Sequence, residues 1–299
     1  MFSETQYALL DFGDGRKLEQ FGPFRIDRPA PAVTDQPIAS PTTWQEATAC
    51  YERSGKQSGC WEPAGVLPET WTIHHGPFTL ELKASDFGHL DAFSEQAPNW
   101  DWLARQVQGW IETRGSSGDL AESEPPRPRL LNLFAYTGAS TLAAAAAGAE
   151  VTHVDAAKNV INWARRNAEL SGLAEAPIRW VHEDVQKFVA REVRRGNRYA
   201  GVILDPPSYG HGAHGEPWQI DQHLPGLLKK CRSLLDDEPL LVLLSAHSRG
   251  CGPARLAGWL NQLVLRKSSS RAQGIRLGLR SRDGRTLPSG ACARWGRIE

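Results

Sequence analysis

Cysteine is scarce and scattered in this chain. Cys50, Cys60, Cys231, Cys251 and Cys292 are odd in number, and no two of them form a C-x-x-C pair. Neither a disulfide framework nor a zinc site is indicated, and a reducing cytoplasm is the simplest home for such thiols. Net charge is missing too: 34 Lys and Arg balance 34 Asp and Glu, which argues against indiscriminate coating of polyanions. No apolar run approaches the roughly 20 residues that span a bilayer, so no membrane partner is expected. The opening MFSETQYALL has no basic stretch followed by an apolar one and does not read as a secretory signal. Gly210-His211-Gly212-Ala213-His214-Gly215 carries two histidines but no third ligand at metal spacing. No metal is expected, and the segment reads as a mobile loop.

What is present changes character along the 299 residues. Residues 1–95 are rich in Gly, Pro and Trp, with turn signals at Gly13-Asp14-Gly15 and Gly22-Pro23 and short strand-like pieces at Trp71-Thr72-Ile73 and Phe78-Thr79-Leu80-Glu81-Leu82. A small β-rich domain is expected there. Residues 96–128 hold an amphipathic helix, with Leu103, Val107, Trp110 and Ile111 on one face, and then a Gly/Ser and Pro-rich linker. Residues 129–299 alternate short apolar strands with helices, the pattern of an α/β domain with a doubly wound, mainly parallel sheet. From Arg249 onward, eleven cations face only Asp283 and Glu299. Such a cluster is either a solvated face or a phosphate-contacting surface.

The strands end on acids. Val151-Thr152-His153-Val154 runs into Asp155, Ile178-Arg179-Trp180-Val181 into Glu183-Asp184, and Tyr199 to Leu204 into Asp205. Ligands of open α/β sheets bind outside the carboxyl ends of the strands. Carboxylates gathered there need a ligand rich in hydroxyl and amino donors, or water. A dinucleotide instead needs a G-x-G-x-x-G cradle, and the loop after Leu130-Leu131-Asn132-Leu133-Phe134 has one glycine, Gly138. A phosphate-free nucleoside with an amino-acid head fits better, and S-adenosylmethionine is such a ligand.

Taken in order, Leu131-Asn132-Leu133-Phe134-Ala135-Tyr136-Thr137-Gly138, His153-Val154-Asp155, Ala164-Arg165-Arg166-Asn167, Glu183-Asp184-Val185 and Leu204-Asp205-Pro206-Pro207 resemble the motifs of class I S-adenosylmethionine-dependent methyltransferases. The group most like it is that of the bacterial large-subunit ribosomal RNA methyltransferases, whose F-x-(D/E)-Q segment is similar to Phe93-Ser94-Glu95-Gln96. The resemblance implies a Rossmann-like methyltransferase sheet with an antiparallel C-terminal strand, and S-adenosylmethionine as cofactor. It also implies roles by position. Asn132, Phe134, Tyr136, Thr137 and Gly138 would pass under the methionine part, with Gly138 allowing close backbone approach. Asp155 would accept from the ribose hydroxyls and Asp184 from the adenine amino group, with Val185 against the ring. Phe93 and Gln96 would close over the cofactor. Asp155 and Asp184 also suit helix N-caps, and the two roles can coexist.

Asp205-Pro206-Pro207-Ser208-Tyr209 joins cofactor to acceptor. The prolines fix φ and lack N–H groups, so their carbonyls can turn toward a base. Asp205, bordering both ligands, can accept from an acceptor N–H, and Tyr209 can stack on the base. The alternative is a tight turn with a capping acid and a core tyrosine. Methylation at pyrimidine C5 needs a cysteine thiolate that adds to the ring, and the family members that do this carry it after the fourth or fifth strand; Ser208 and Ser245-Ala246-His247-Ser248 stand there instead. Nitrogen methylation of a base in RNA, ribosomal RNA first, is therefore expected. A protein or small-molecule acceptor and a catalytically inactive nucleotide-binding relative are the other readings.

Overall fold

The computed structural model describes residues 2–55, 58–115, 127–211, 217–266 and 268–298; most of the expected linker, and Gly212–Gly215 of the expected loop, lie outside them. The chain clusters into two compact units, Met1–Pro98 with Gly278–Ser289, and Asn99–Leu277 with Gly290–Glu299.

In the first unit β1 (Tyr7–Gly13), β2 (Arg16–Phe21), β3 (Phe24–Pro29), β4 (Ala49–Arg53) and β5 (Gly59–Glu62) form one sheet in that order, with α1 (Pro41–Trp44) between β3 and β4 in the chain. Only β3 and β4 pair in parallel among these neighbours. β6 (Trp71–His75) and β7 (Phe78–Leu82) make a separate hairpin. The first turn is the one its sequence asks for: Asp14 and Gly15 hold φ of 51° and 76°, as a two-residue hairpin with both central residues left-handed requires. Burial pushes the Asp11 carboxyl up, but hydrogen bonds from Trp44 Nε1 and the amides of Ser40, Ala39 and Phe12 hold it below its ordinary value. Arg285 Nη2, from the part of the chain that rejoins this unit, lies 2.5 Å from the same carboxylate.

The helical layer opens with α2 (Ala97–Gly115). After it come β8 (Arg129–Leu133), α3 (Ala139–Ala146), β9 (Glu150–Asp155), α4 (Lys158–Leu170), β10 (Ile178–His182) and α5 (Val185–Arg195). The chain continues through β11 (Gly201–Leu204), β12 (Tyr209–His211), β13 (Pro217–Gln219), α6 (Ile220–Leu234), β14 (Leu241–Ala246), α7 (Pro253–Trp259), β15 (Gln273–Arg280) and β16 (Thr286–Gly296). Among the described residues the main sheet has the order β10-β9-β8-β11-β14-β16-β15. The first five strands are parallel and β16 runs antiparallel to β14, the doubly wound architecture that the sequence implies. The segment Gly210–Gly215 reads in sequence as a loop; Gly210 and His211 instead pair with Trp218 and Pro217 of β13.

Strands buried on both faces read as continuous apolar runs, and alternate side chains then serve two cores. Leu131, Leu133, Val202, Leu204, Val242 and Leu244 point to the layer containing α5 and α6. Leu130, Ile203, Leu241 and Leu243 point to the other, with Leu103 and Val107 of α2 and Ala144 of α3. Alanines on α3 let that helix approach closely. Gly201 is a packing requirement, since a Cβ there would stand 2.8 Å from Leu241 and 2.9 Å from Leu130 side-chain atoms.

Candidate functional site

The sheet order reverses between β8 and β11: the chain moves outward through β9 and β10 on one side and through β14 on the other. Crevices in open α/β sheets form at this switch point, beyond the carboxyl ends. Register pairs Val181 with Val154, Val154 with Leu133, Leu133 with Leu204, and Leu204 with Leu244, so these five residues form one row across the sheet. Just past the row come Glu183-Asp184, Asp155, the Phe134–Gly138 loop, Asp205 and Ser245. The acids anticipated at the strand ends thus share one edge.

The loop after β8 is strained. Phe134, Tyr136 and Gly138 all have positive φ, at 57°, 49° and 91°. Left-handed backbone at bulky residues persists only where the surroundings enforce it, and such strain concentrates at functional sites. Several bonds enforce it here. The Tyr136 amide donates to Asp155 Oδ2 at 2.9 Å, and the Ala157 amide to Asp155 Oδ1 at 2.9 Å. The Thr137 carbonyl accepts from the buried Asn167 Nδ2 at 2.9 Å. The Phe134 ring packs at 4.9 Å from that of Trp218. Gly138 has a reason beyond any ligand: besides its φ, a Cβ would meet that of Ala164 at 3.0 Å.

Asn132 behaves differently from expectation. It is buried in mid-strand, and its Nδ2 donates to Thr141 Oγ1 at 2.9 Å, which lies 3.0 Å from His153 Nδ1. Its side chain therefore braces the loop from the sheet instead of facing the crevice. Burial lowers the His153 imidazole from 6.5 to about 3, so it is neutral, and its Nε2 has no hydrogen-bond partner among the described residues.

The remaining positions divide cleanly. Burial raises the Asp155 carboxyl, against the lowering effect of the amides it accepts from. The cap residue of α4 is Ala157, so Asp155 is a strand-end acid and not that helix's N-cap. Asp184 is the N-cap of α5, accepting from the Lys187 amide at 3.0 Å. Val185 is buried in the core, which leaves Asp184 as the half-exposed group at this corner. Burial also raises the Asp205 carboxyl, opposed by His247 and by the Ser245 hydroxyl, which donates at 2.7 Å. His247 Nε2 stands 4.0 Å from Asp205 Oδ1. Pro206 is buried; the Pro207 carbonyl already accepts from Trp218 Nε1 at 2.7 Å, so it is not a carbonyl left open for a base. Tyr209 is 59% exposed, not the core tyrosine of a plain turn. Phe93 and Gln96 belong to the first unit, where the Gln96 amide donates to the Phe93 carbonyl in a short 3-10 turn.

Sequence reading gave no role to Asn167, Thr141, His153, Ser245 or Trp218, which hold the two loops. Asn167→Ala is expected to remove its bond to the Thr137 carbonyl and to cost about 0.5–1.5 kcal/mol of stability in a urea titration. An unchanged midpoint would show that the loop holds its shape without this bond. Part of the basic C-terminal stretch is paired: Arg255 with Asp221, Arg297 with Glu238, Arg282 with Glu4, Arg294 with Asn99, and Arg285 with Asp11 and Asp283. That favours a role in ion pairing over a phosphate-contacting surface for these residues.

Residues 116–243 match the family pattern described as S-adenosylmethionine-dependent methyltransferase. A curated ribosomal RNA large subunit methyltransferase K/L from Methylococcus capsulatus is 35% identical over 221 residues, covering 68% of this chain and 30% of that protein. Its counterpart from Shewanella frigidimarina is 32% identical over 227 residues, again 68% of this chain and 30% of the relative. The chain thus spans under a third of the length of these relatives. The crystal structure of a SAM-dependent methyltransferase from Agrobacterium tumefaciens superposes with TM-score 0.86 at 36% identity, over 97% of this chain and 90% of that one. A putative methyltransferase complexed with SAH shares the fold at TM-score 0.71 and 18% identity, over 97% and 75% of the two chains. With that likeness over nearly its whole length, the chain belongs to the S-adenosylmethionine-dependent methyltransferases.

Proposed function

We propose that the chain transfers a methyl group to a ring or exocyclic nitrogen of a base in RNA, with ribosomal RNA the first candidate. S-adenosylmethionine supplies an electrophilic methyl on a sulfonium when bound. The edge fits it: carboxylates at adjacent strand ends suit hydroxyl, amino and sulfonium groups and would repel a pyrophosphate. Asp155 would take the ribose hydroxyls, Asp184 the adenine amino group through the oxygen not capping α5, and the Phe134–Gly138 backbone the methionine part. The acceptor side falls to Asp205, the Pro206 carbonyl and the exposed Tyr209. Methyl transfer is an in-line displacement, in which the protein chiefly aligns the acceptor and takes up its proton. Asp205, ionised, would accept the N–H of the base as nitrogen attacks, while Ser245 holds its carboxylate in place.

The observation that carries nitrogen as acceptor is the state of the thiols. Burial pushes the Cys231 thiol up to about 12 and also raises those of Cys251 and Cys292. Cys292, opposite Ser245 in register, is fully buried. Addition to a pyrimidine ring needs a thiolate, and these cysteines are poor sources of one. The names of the curated relatives support RNA as the acceptor class. A protein or small-molecule acceptor is the second reading, favoured by the balanced net charge of the chain.

Two measurements test this. S-adenosylmethionine at about 100 times its Kd should add roughly 2.7 kcal/mol and raise the melting temperature by about 5–10 °C. Labelled methyl groups incubated with the enzyme and fractionated cell extract should enter RNA as N-methylated nucleosides. Label confined to protein or small molecules would favour the second reading.

A further inference from the structure

The first unit contains a cleft of about 190 Å³ whose Phe87 and Ser94 have no part in these roles. Lys17, Arg28 and Arg53 line it, and so do Glu19, Asp91 and Glu95, so opposite charges are present in equal number. Most of that charge is already engaged. Arg28 Nη2 lies 2.5 Å and Lys17 Nζ 3.1 Å from the buried Glu19 carboxylate, and Arg28 Nη1 donates to the Gly88 carbonyl at 3.2 Å. A phosphate would find no net positive charge here. Two other features call for an occupant. Phe87 is 58% exposed at the rim, a large ring that a planar partner would cover. Ser94 lines the same cleft at 6% exposure, and its Oγ has no hydrogen-bond partner among the described residues. A buried hydroxyl without a partner costs free energy until something bonds to it. Beside it Asp91 holds a φ of 57°, strained backbone of the kind found at binding sites.

We infer that this cleft binds a single nucleobase of the RNA substrate, stacked on Phe87 and hydrogen-bonded to Ser94 Oγ. The inference rests on RNA being the acceptor class and adds a second contact, in the first unit, to the strand-end site. Neutral lining, the exposed Phe87 ring and the unsatisfied Ser94 hydroxyl suit a flat, uncharged group with donors and acceptors on its edge. Stacking on an aromatic ring contributes enough that its loss weakens binding about tenfold or more.

The test uses the full chain and a mixed-sequence single-stranded oligoribonucleotide carrying 4-thiouridine. Phe87→Ala and Ser94→Ala should each raise its Kd about tenfold or more, while S-adenosylhomocysteine affinity stays at the wild-type value. Ser94→Ala should melt at or above the wild-type temperature, because it removes a buried unsatisfied group; a purely structural serine would give that result with no change in Kd. Photocrosslinking should map to the peptide containing residues 86–95 and disappear in Phe87→Ala. Wild-type affinity in both variants would overturn the nucleobase cleft and leave the RNA reading standing. A wild type that binds S-adenosylhomocysteine but no oligonucleotide would overturn both.

Discussion

Asp205→Asn is expected to lower kcat for methyl transfer about 10²–10⁴-fold, the range in which a positioned proton acceptor contributes. S-adenosylhomocysteine affinity should stay within a few-fold of wild type. The substitution keeps the shape and the Ser245 contact but removes the charge that would draw the proton from the attacking nitrogen. A pH signature should accompany it. Burial raises the Asp205 carboxyl above the ordinary 3.8, so the ionised, active form is lost sooner on acidification. Wild-type kcat should fall as pH drops through this raised value and level off above it, and the Asn variant should lack that acid limb. A variant retaining half of the wild-type rate would remove Asp205 from the chemistry.

The second large effect concerns stability. His153 stays neutral in the folded chain down to about 3, whereas exposed imidazole takes up its proton near 6.5. Between those values the unfolded state holds a proton that the folded state does not. Stability therefore rises with pH across the window and is lost as pH falls through it, by about 1.4 kcal/mol per pH unit from this group. Below about 3 both states are charged and the loss from His153 stops. His153→Gln should remove this component. The difference in unfolding free energy between wild type and variant, measured by urea titration from pH 7 to pH 4, should change with that slope. A constant difference would mean that His153 becomes charged without unfolding the loop it braces.

The parallel strands were legible because each is a short apolar run stopped by an acid, as in Val202-Ile203-Leu204-Asp205. Strand order was legible to the extent that consecutive βα units wind outward, which is why Asp155, Asp184 and Asp205 could be assigned to one edge in advance. What lies beneath that edge was not. Asn132, Thr141 and His153 lie on three successive elements, β8, α3 and β9, and meet only because β8 and β9 pair with Asn132 opposite His153. Read alone, Asn132 looked like part of the cofactor loop. The strain at Phe134 and Tyr136 was equally hidden, since neither residue favours left-handed backbone and only Gly138 advertised a special conformation. The C-terminal arginines read as one basic block because their partners are distant: Arg285 and Asp11 stand 274 residues apart.

The return of Gly278–Ser289 to the first unit has a practical consequence. The polypeptide visits that unit twice, so neither half can be excised as one uninterrupted fragment. A stop codon after Leu277 would strip the N-terminal part of its late-arriving segment and the α/β part of β16, the neighbour of β14. Dissection of the enzyme calls for a short artificial loop in place of 278–289, or for co-expression of both pieces.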